Sequence, residues 1–161
     1  MADIFYGAEI ARINLEDERN GAAFYEALSR CARTEAVRKF ALETAESERG
    51  HERVYREMLE DMRVPEDTEL YEGERREYLA ALVRGKVFPD IEAAEKMALE
   101  AETDLEAVEI ALRMEKNTLQ LLTELRKHTR KKDLRLVDQI IEEEEDHVKG
   151  LTRLREEITG G

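Results

Sequence analysis

The chain has 161 residues, the usual length of one domain and enough to bury a core without a disulfide or metal staple. It is 42% hydrophobic and 40% charged, with two prolines and a helix-favouring balance of Glu, Ala, Leu and Arg. The net charge of −13 argues against a phosphate-backbone binder, and the lone Cys31 excludes an internal disulfide or a cysteine-rich metal site. The opening MADIFYGAEIARINLE carries charge too early and too often for a signal peptide. No apolar run approaches the ~18 residues of a membrane span, so the reducing cytoplasm is the expected location.

The first element is a helix over 3–32, where Ile4, Ala8, Ala11, Leu15, Ala22, Tyr25 and Leu28 fall mostly at three- and four-residue steps. The second is a helix over 35–62, carried by Val37, Ala41, Thr44, Tyr55, Met58 and Met62, with Thr34 as its expected cap and Val64-Pro65 as its stop. A connection of 25 to 30 residues follows, with a helical stretch of its own, EGERREYLAALVRG. Phe88-Pro89-Asp90 starts a third long helix over 90–128, striped by Ala94, Ala98, Ala101, Leu105, Val108, Leu112, Leu119, Leu122 and Leu125. Asp133 is the expected cap of the last helix, over 133–158. Short first-to-second and third-to-fourth connections make two antiparallel hairpins, 3–62 and 90–158, joined by the crossover 63–89 within one domain spanning 1–161. The crossover is long enough to travel the bundle, so helices two and three run parallel: an all-α four-helix bundle with one long crossover.

The apolar stripe of each long helix is broken near its middle, and only by Glu and His. The breaks are Glu18 in the first helix, Glu48 and His51 in the second, Glu115 in the third, and Glu144 and His147 in the fourth. The two halves echo each other: Glu18-Arg19-Asn20 against Glu115-Lys116-Asn117, and Glu48-x-x-His51 against Glu144-x-x-His147. A run of acids is usually a solvated face, and Glu142, Glu143 and Glu145 read that way. Buried carboxylates need partners, and no stripe position carries Lys or Arg. Two divalent cations would cancel four carboxylates, and two imidazoles would complete the set. One Glu from each of two helices plus Glu-x-x-His from each of the other two is the di-iron or di-manganese carboxylate arrangement, and O/N donors without sulfur suit iron or manganese.

At these motifs the chain resembles the rubrerythrin branch of the ferritin-like superfamily. The resemblance is carried by ERNGAAFY from Glu18 to Tyr25, FALETAESERGH from Phe40 to His51, RMEKN from Arg113 to Asn117, and EEEDHVKGL from Glu143 to Leu151. It implies a ferritin-like bundle around two iron ions, manganese or a mixed pair being the alternatives, that reacts with hydrogen peroxide or dioxygen. Glu18, Glu48, His51, Glu115, Glu144 and His147 match the family's metal-ligand positions. Tyr25 matches a tyrosine that hydrogen-bonds near the ligands; from spacing alone it reads as core. Two departures stand out. Full rubrerythrins add a small iron domain held by four cysteines, absent from a chain with one. They also carry a second Glu three residues after the third-helix ligand, where this chain has Thr118.

The expected function is a non-haem di-iron oxidoreductase that reduces peroxide, or dioxygen more slowly, with electrons from an external redox protein. A ferroxidase or iron-binding protein, a hydroxylase on the same ligands and a non-enzymatic helical interaction module are the alternatives. Phe5, Phe24, Phe40 and Phe88, lying off the main stripe, are expected to favour a homodimer, with hairpin exchange through 63–89 as one form. His128, beside Lys127, Arg130, Lys131 and Lys132, reads as a basic helix end, or as a docking patch for an acidic redox partner. Cys31 reads as a core or turn residue.

Overall fold

Ile10, Ala11, Leu15, Ala22, Tyr25 and Leu28 line the buried face of the first helix, α1 (Gly7–Cys31). In this computed structural model, which describes residues 5–62 and 74–160, five further helices follow: α2 (Glu35–Asp61), α3 (Glu74–Val83), α4 (Ile91–Glu100), α5 (Asp104–Arg126) and α6 (Leu134–Gly160). The expected stop at Val64-Pro65 lies outside the described residues. None of the described helices is long and apolar enough to cross a membrane.

α1 with α2, and α5 with α6, form the two hairpins. Asp104, the first residue of α5, accepts hydrogen bonds from the backbone N–H of Arg33 (2.9 Å) and Thr34 (2.7 Å) and from the Thr34 hydroxyl (2.7 Å). α5 therefore starts at the end of the bundle where α2 starts, and the two run parallel as the long crossover requires. The same bonds correct the expected cap: Thr34 stands at the start of α2 but gives its hydroxyl to Asp104. Asp133 likewise accepts from Gly7 N–H (3.1 Å) and Arg130 Nη2 (3.0 Å), in a 3₁₀ turn over Lys131–Asp133 that precedes α6. A side chain at position 7 would meet the Asp133 side chain at 3.0 Å, so glycine permits this approach.

The expected single helix over 90–128 is two helices. Ala101 is extended (ψ 125°), and Thr103 caps α5 by accepting Glu106 N–H at 3.1 Å while Glu106 Oε2 accepts Glu102 N–H at 2.6 Å. These two cap bonds, one to Thr103 and one from Glu102, stop one helix and start the next. Asp90 caps α4 as expected, accepting Ala93 N–H at 2.7 Å. The first helix starts at Gly7 because Phe5 pairs with Thr129 in an isolated bridge.

The described part of the crossover, from α3 on, lies along α1. Tyr78 of α3 stacks on Phe5, near the start of α1, and Leu79 is buried beside it. After a left-handed turn at Gly85 (φ +74°), the Phe88 carbonyl accepts Asn20 Nδ2 at 3.1 Å, and α4 continues to the end of α1, where Cys31 Sγ points to the Ala98 carbonyl at 3.6 Å. This cover changes the expected outer face. Phe5, Phe24 and Phe88 are buried inside the chain, so of these four phenylalanines only the partly exposed Phe40 is available to a second copy. Two apolar clusters result, one around Phe24, Phe88, Val108 and Leu151, the other around Phe5, Ile10, Leu122 and Ile140. The buried Glu residues of the stripe interrupt each helix between them.

Candidate metal centre

Each long helix delivers its stripe-breaking residues inward, because the apolar residues one turn to either side are anchored in the two clusters. Glu18, Glu48, Glu115 and Glu144 are each only 2% exposed. His147 is nearly as buried, at 9% of its side chain, and His51 is the open edge at 24%. His51 Nδ1 lies 3.3 Å from Glu18 Oε2. His147 Nδ1 lies 3.4 Å from Glu144 Oε2, 3.6 Å from Glu48 Oε1 and 3.9 Å from Glu115 Oε2. The two imidazole rings stack with centroids 5.4 Å apart and planes 28° apart. All six residues named from the sequence thus meet in one place.

Two groups bring their donor atoms within 4.8 Å of one another: Glu48, His51 and His147, and Glu115, Glu144 and His147. His147 belongs to both, so the grouping is less symmetric than the sequence echo, and Glu18 joins through its contact with His51.

Among the described residues, no Lys or Arg pairs with any of the four carboxylates. The groups respond by holding protons. Burial, then Glu18, push the Glu48 carboxyl well above the usual carboxylate range. Burial lifts Glu144 to about 7, and it lifts Glu115 to about 8 against the pull of His147. Burial also raises Glu18, but protonated Glu48 and His51 beside it hold it below its ordinary value. Burial opposes a charged His147, yet Glu144 and Glu115 outweigh it and raise the ring to about 10, while the Glu18 carboxylate raises His51. Without ions, the layer is a set of shared protons.

The chemistry of the donors fits a metal pair better than it fits itself. Glu18 Oε2, His51 Nδ1 and both ring nitrogens of His147 are buried, and none makes a well-formed hydrogen bond: the Glu18–His51 and Glu144–His147 approaches, at 3.3 and 3.4 Å, are charge contacts only. Orphaned buried polar atoms cost about 1–3 kcal/mol each. Here they converge, and O and N donors without sulfur suit iron or manganese.

Surrounding side chains fix the donors. Tyr25 donates to Glu115 Oε1 at 2.7 Å, and Asn14 Nδ2 donates to Glu18 Oε1 at 3.0 Å. Burial, then Glu115, raise the Tyr25 hydroxyl well above its ordinary value, so it remains a donor. Thr118, at the position where the resemblance expects a second Glu, donates to Asp17 Oδ2 at 2.7 Å, and Asp17 Oδ1 accepts Phe88 N–H at 2.9 Å. Burial and the Glu115 charge hold Asp17 at about 8 despite these bonds. Tyr55 donates to Glu143, which corrects the reading of Glu143 as a solvated acid: it is half-buried and ties α6 to α2. Sequence reasoning missed Asn14, Asp17 and Tyr55 as site residues. Asn14 alone left a signal, standing one turn before Glu18.

A bundle of parallel and antiparallel helices around buried Glu and Glu-x-x-His defines an all-α, ferritin-like carboxylate-site protein. The chain belongs to the rubrerythrin family, whose model matches residues 9–155. That family binds a di-iron centre, and the carboxylate–imidazole groups here could hold one. No curated protein and no solved structure matches the chain.

Proposed function

We propose that this protein is a di-iron oxidoreductase that reduces hydrogen peroxide, or dioxygen more slowly, with electrons from an external donor. The observation that carries the reading is the convergence of four buried carboxylates and two imidazoles with orphaned donor atoms and, among the described residues, no Lys or Arg paired with them. Glu18, Glu48, His51, Glu115, Glu144 and His147 would hold two iron ions, with manganese as the other metal of suitable preference. When bound, the pair supplies Lewis acidity and two electrons.

The chain's own residues do the rest. Tyr25 fixes Glu115 and Asn14 fixes Glu18, so two carboxylates keep their orientation. Phe24, Tyr25 and Phe88 pack ring against ring beside the centre and exclude water from that flank. His51, the most exposed of the six, marks the side from which a small oxidant reaches the site. The test is stopped-flow oxidation of the anaerobic Fe(II) protein by peroxide. Oxidation faster than that of free Fe(II) is expected; a rate no greater than free iron overturns the assignment. A ferroxidase feeding storage uses the same residues, and would show rapid oxidation by dioxygen with iron accumulating beyond two per chain.

A further inference from the structure

One short stretch of this acidic chain is strongly basic. Residues 126–135 hold six Lys and Arg against a single acid, Asp133, a net +5, which leaves −18 on the remainder of a chain of net −13. These residues form the end of α5, the connecting turn and the start of α6. Several of the cations are occupied: Arg126 pairs with Asp138, Lys127 with Glu124 at 2.6 Å, and Arg130 with Asp133 at 3.0 Å. Lys131, Lys132 and Arg135 are exposed and pair with no acid among the described residues. The turn that presents them is pinned. Phe5 N–H donates to the His128 carbonyl (3.0 Å), Arg130 N–H donates to the Phe5 carbonyl (3.2 Å), and Arg130 lies 3.9 Å above the Tyr6 ring.

We propose that the α5–α6 turn, through Lys131, Lys132 and Arg135, docks an acidic electron-carrier protein. The proposal rests on the reading above that electrons come from an external donor. An acidic partner is repelled by the acidic remainder of the chain and attracted by this turn, so the charge asymmetry favours both this face and an acidic partner. Like-charge repulsion also argues against an anionic membrane or nucleic acid, whose extended charge would confront the acidic flanks along with the turn. The turn leads toward the centre: Leu134 and Glu144 are ten residues apart on α6, ~15 Å along the helix axis.

Binding of a plant-type [2Fe–2S] ferredoxin, an acidic one-electron carrier, to the metal-free protein is the test, at low and at physiological ionic strength. The wild type is expected to bind, more weakly as salt rises. The triple reversal K131E/K132E/R135E is expected to weaken binding at least ~10-fold, and the matched reversal K39E/K96E/R153E, on exposed cations elsewhere, to change it less than ~3-fold. Unchanged melting temperatures establish that both variants fold. No binding by the wild type at low salt overturns the proposal, as do equal losses in the two variants. It is also overturned if the turn instead governs binding to phosphatidylserine vesicles or duplex DNA, with ferredoxin unaffected. Because metal-free protein is used, the outcome is independent of peroxide chemistry. Docking at the turn by a protein that fails the stopped-flow test would sink the oxidoreductase reading and leave the docking surface standing.

Discussion

The Tyr25 hydroxyl gives its only proton to Glu115 Oε1 at 2.7 Å in a fully buried setting, whereas the Tyr55 hydroxyl bonds to half-buried Glu143. Removing a donor from a buried carboxylate leaves an orphaned acceptor, while a partly exposed one recruits water. Tyr25→Phe is therefore expected to cost the metal-free protein about 2 kcal/mol and Tyr55→Phe about 1 kcal/mol or less, read by urea unfolding. Equal losses would show that burial does not separate the two. The protons held in the site give a second expectation. Glu115 and Glu144 keep theirs to about 8 and about 7, above the 4.5 of a free glutamate, and His147 to about 10, above 6.5. Between those limits the folded chain binds more protons than the unfolded one, so these groups stabilise the fold at low pH and lose that effect as pH rises. Glu18, held low, works in the opposite direction. The melting temperature of metal-free protein is expected to fall from pH 5 to pH 9, and to fall less when ions replace the protons. A flat metal-free profile would contradict the shared-proton description.

The junction between the two hairpins depends on one carboxylate. Asp104 starts α5 and closes the turn before α2 by accepting three hydrogen bonds. Asp104→Ala would unpair the Arg33 and Thr34 N–H groups, at an expected cost of about 2–3 kcal/mol in urea unfolding. A loss below about 0.5 kcal/mol would mean that water replaces the carboxylate. The four bundle helices were legible from periodicity because their stripes are long. The division of 90–128 was not, since Ala98, Ala101 and Leu105 keep helical steps straight across it. The signal that overrides them is local: Thr103 caps α5 and Glu106 reaches back to Glu102 N–H, bonds that apolar spacing does not register. The six inward Glu and His residues were readable for the reason that they sit on the stripe. The Asp17–Thr118 bond was not: the two lie 101 residues apart and meet only after the bundle closes. Glu143 was hidden by its acidic neighbours and is distinguished only by the tyrosine opposite it.

At the scale of the whole molecule, the crossover is a covering element as well as a connection. Its described residues lie along α1, pack against Phe5 and Phe24, and bring the Phe88 backbone to Asp17, the residue before Glu18. Two apolar clusters, with carboxylates and imidazoles between them, make a protein whose core contains its own electrostatic problem. Divalent ions would answer it, and on the proposed reading their binding stabilises the fold. The most direct measurement is metal content and melting temperature of anaerobically prepared protein, before and after Fe(II) loading, for the wild type and for Glu48→Ala and Glu144→Ala. Two ions per chain with a higher melting temperature on loading are expected for the wild type, and lost stoichiometry with a smaller rise for both variants. Less than one ion per chain, with no change in melting temperature on loading, would contradict the account.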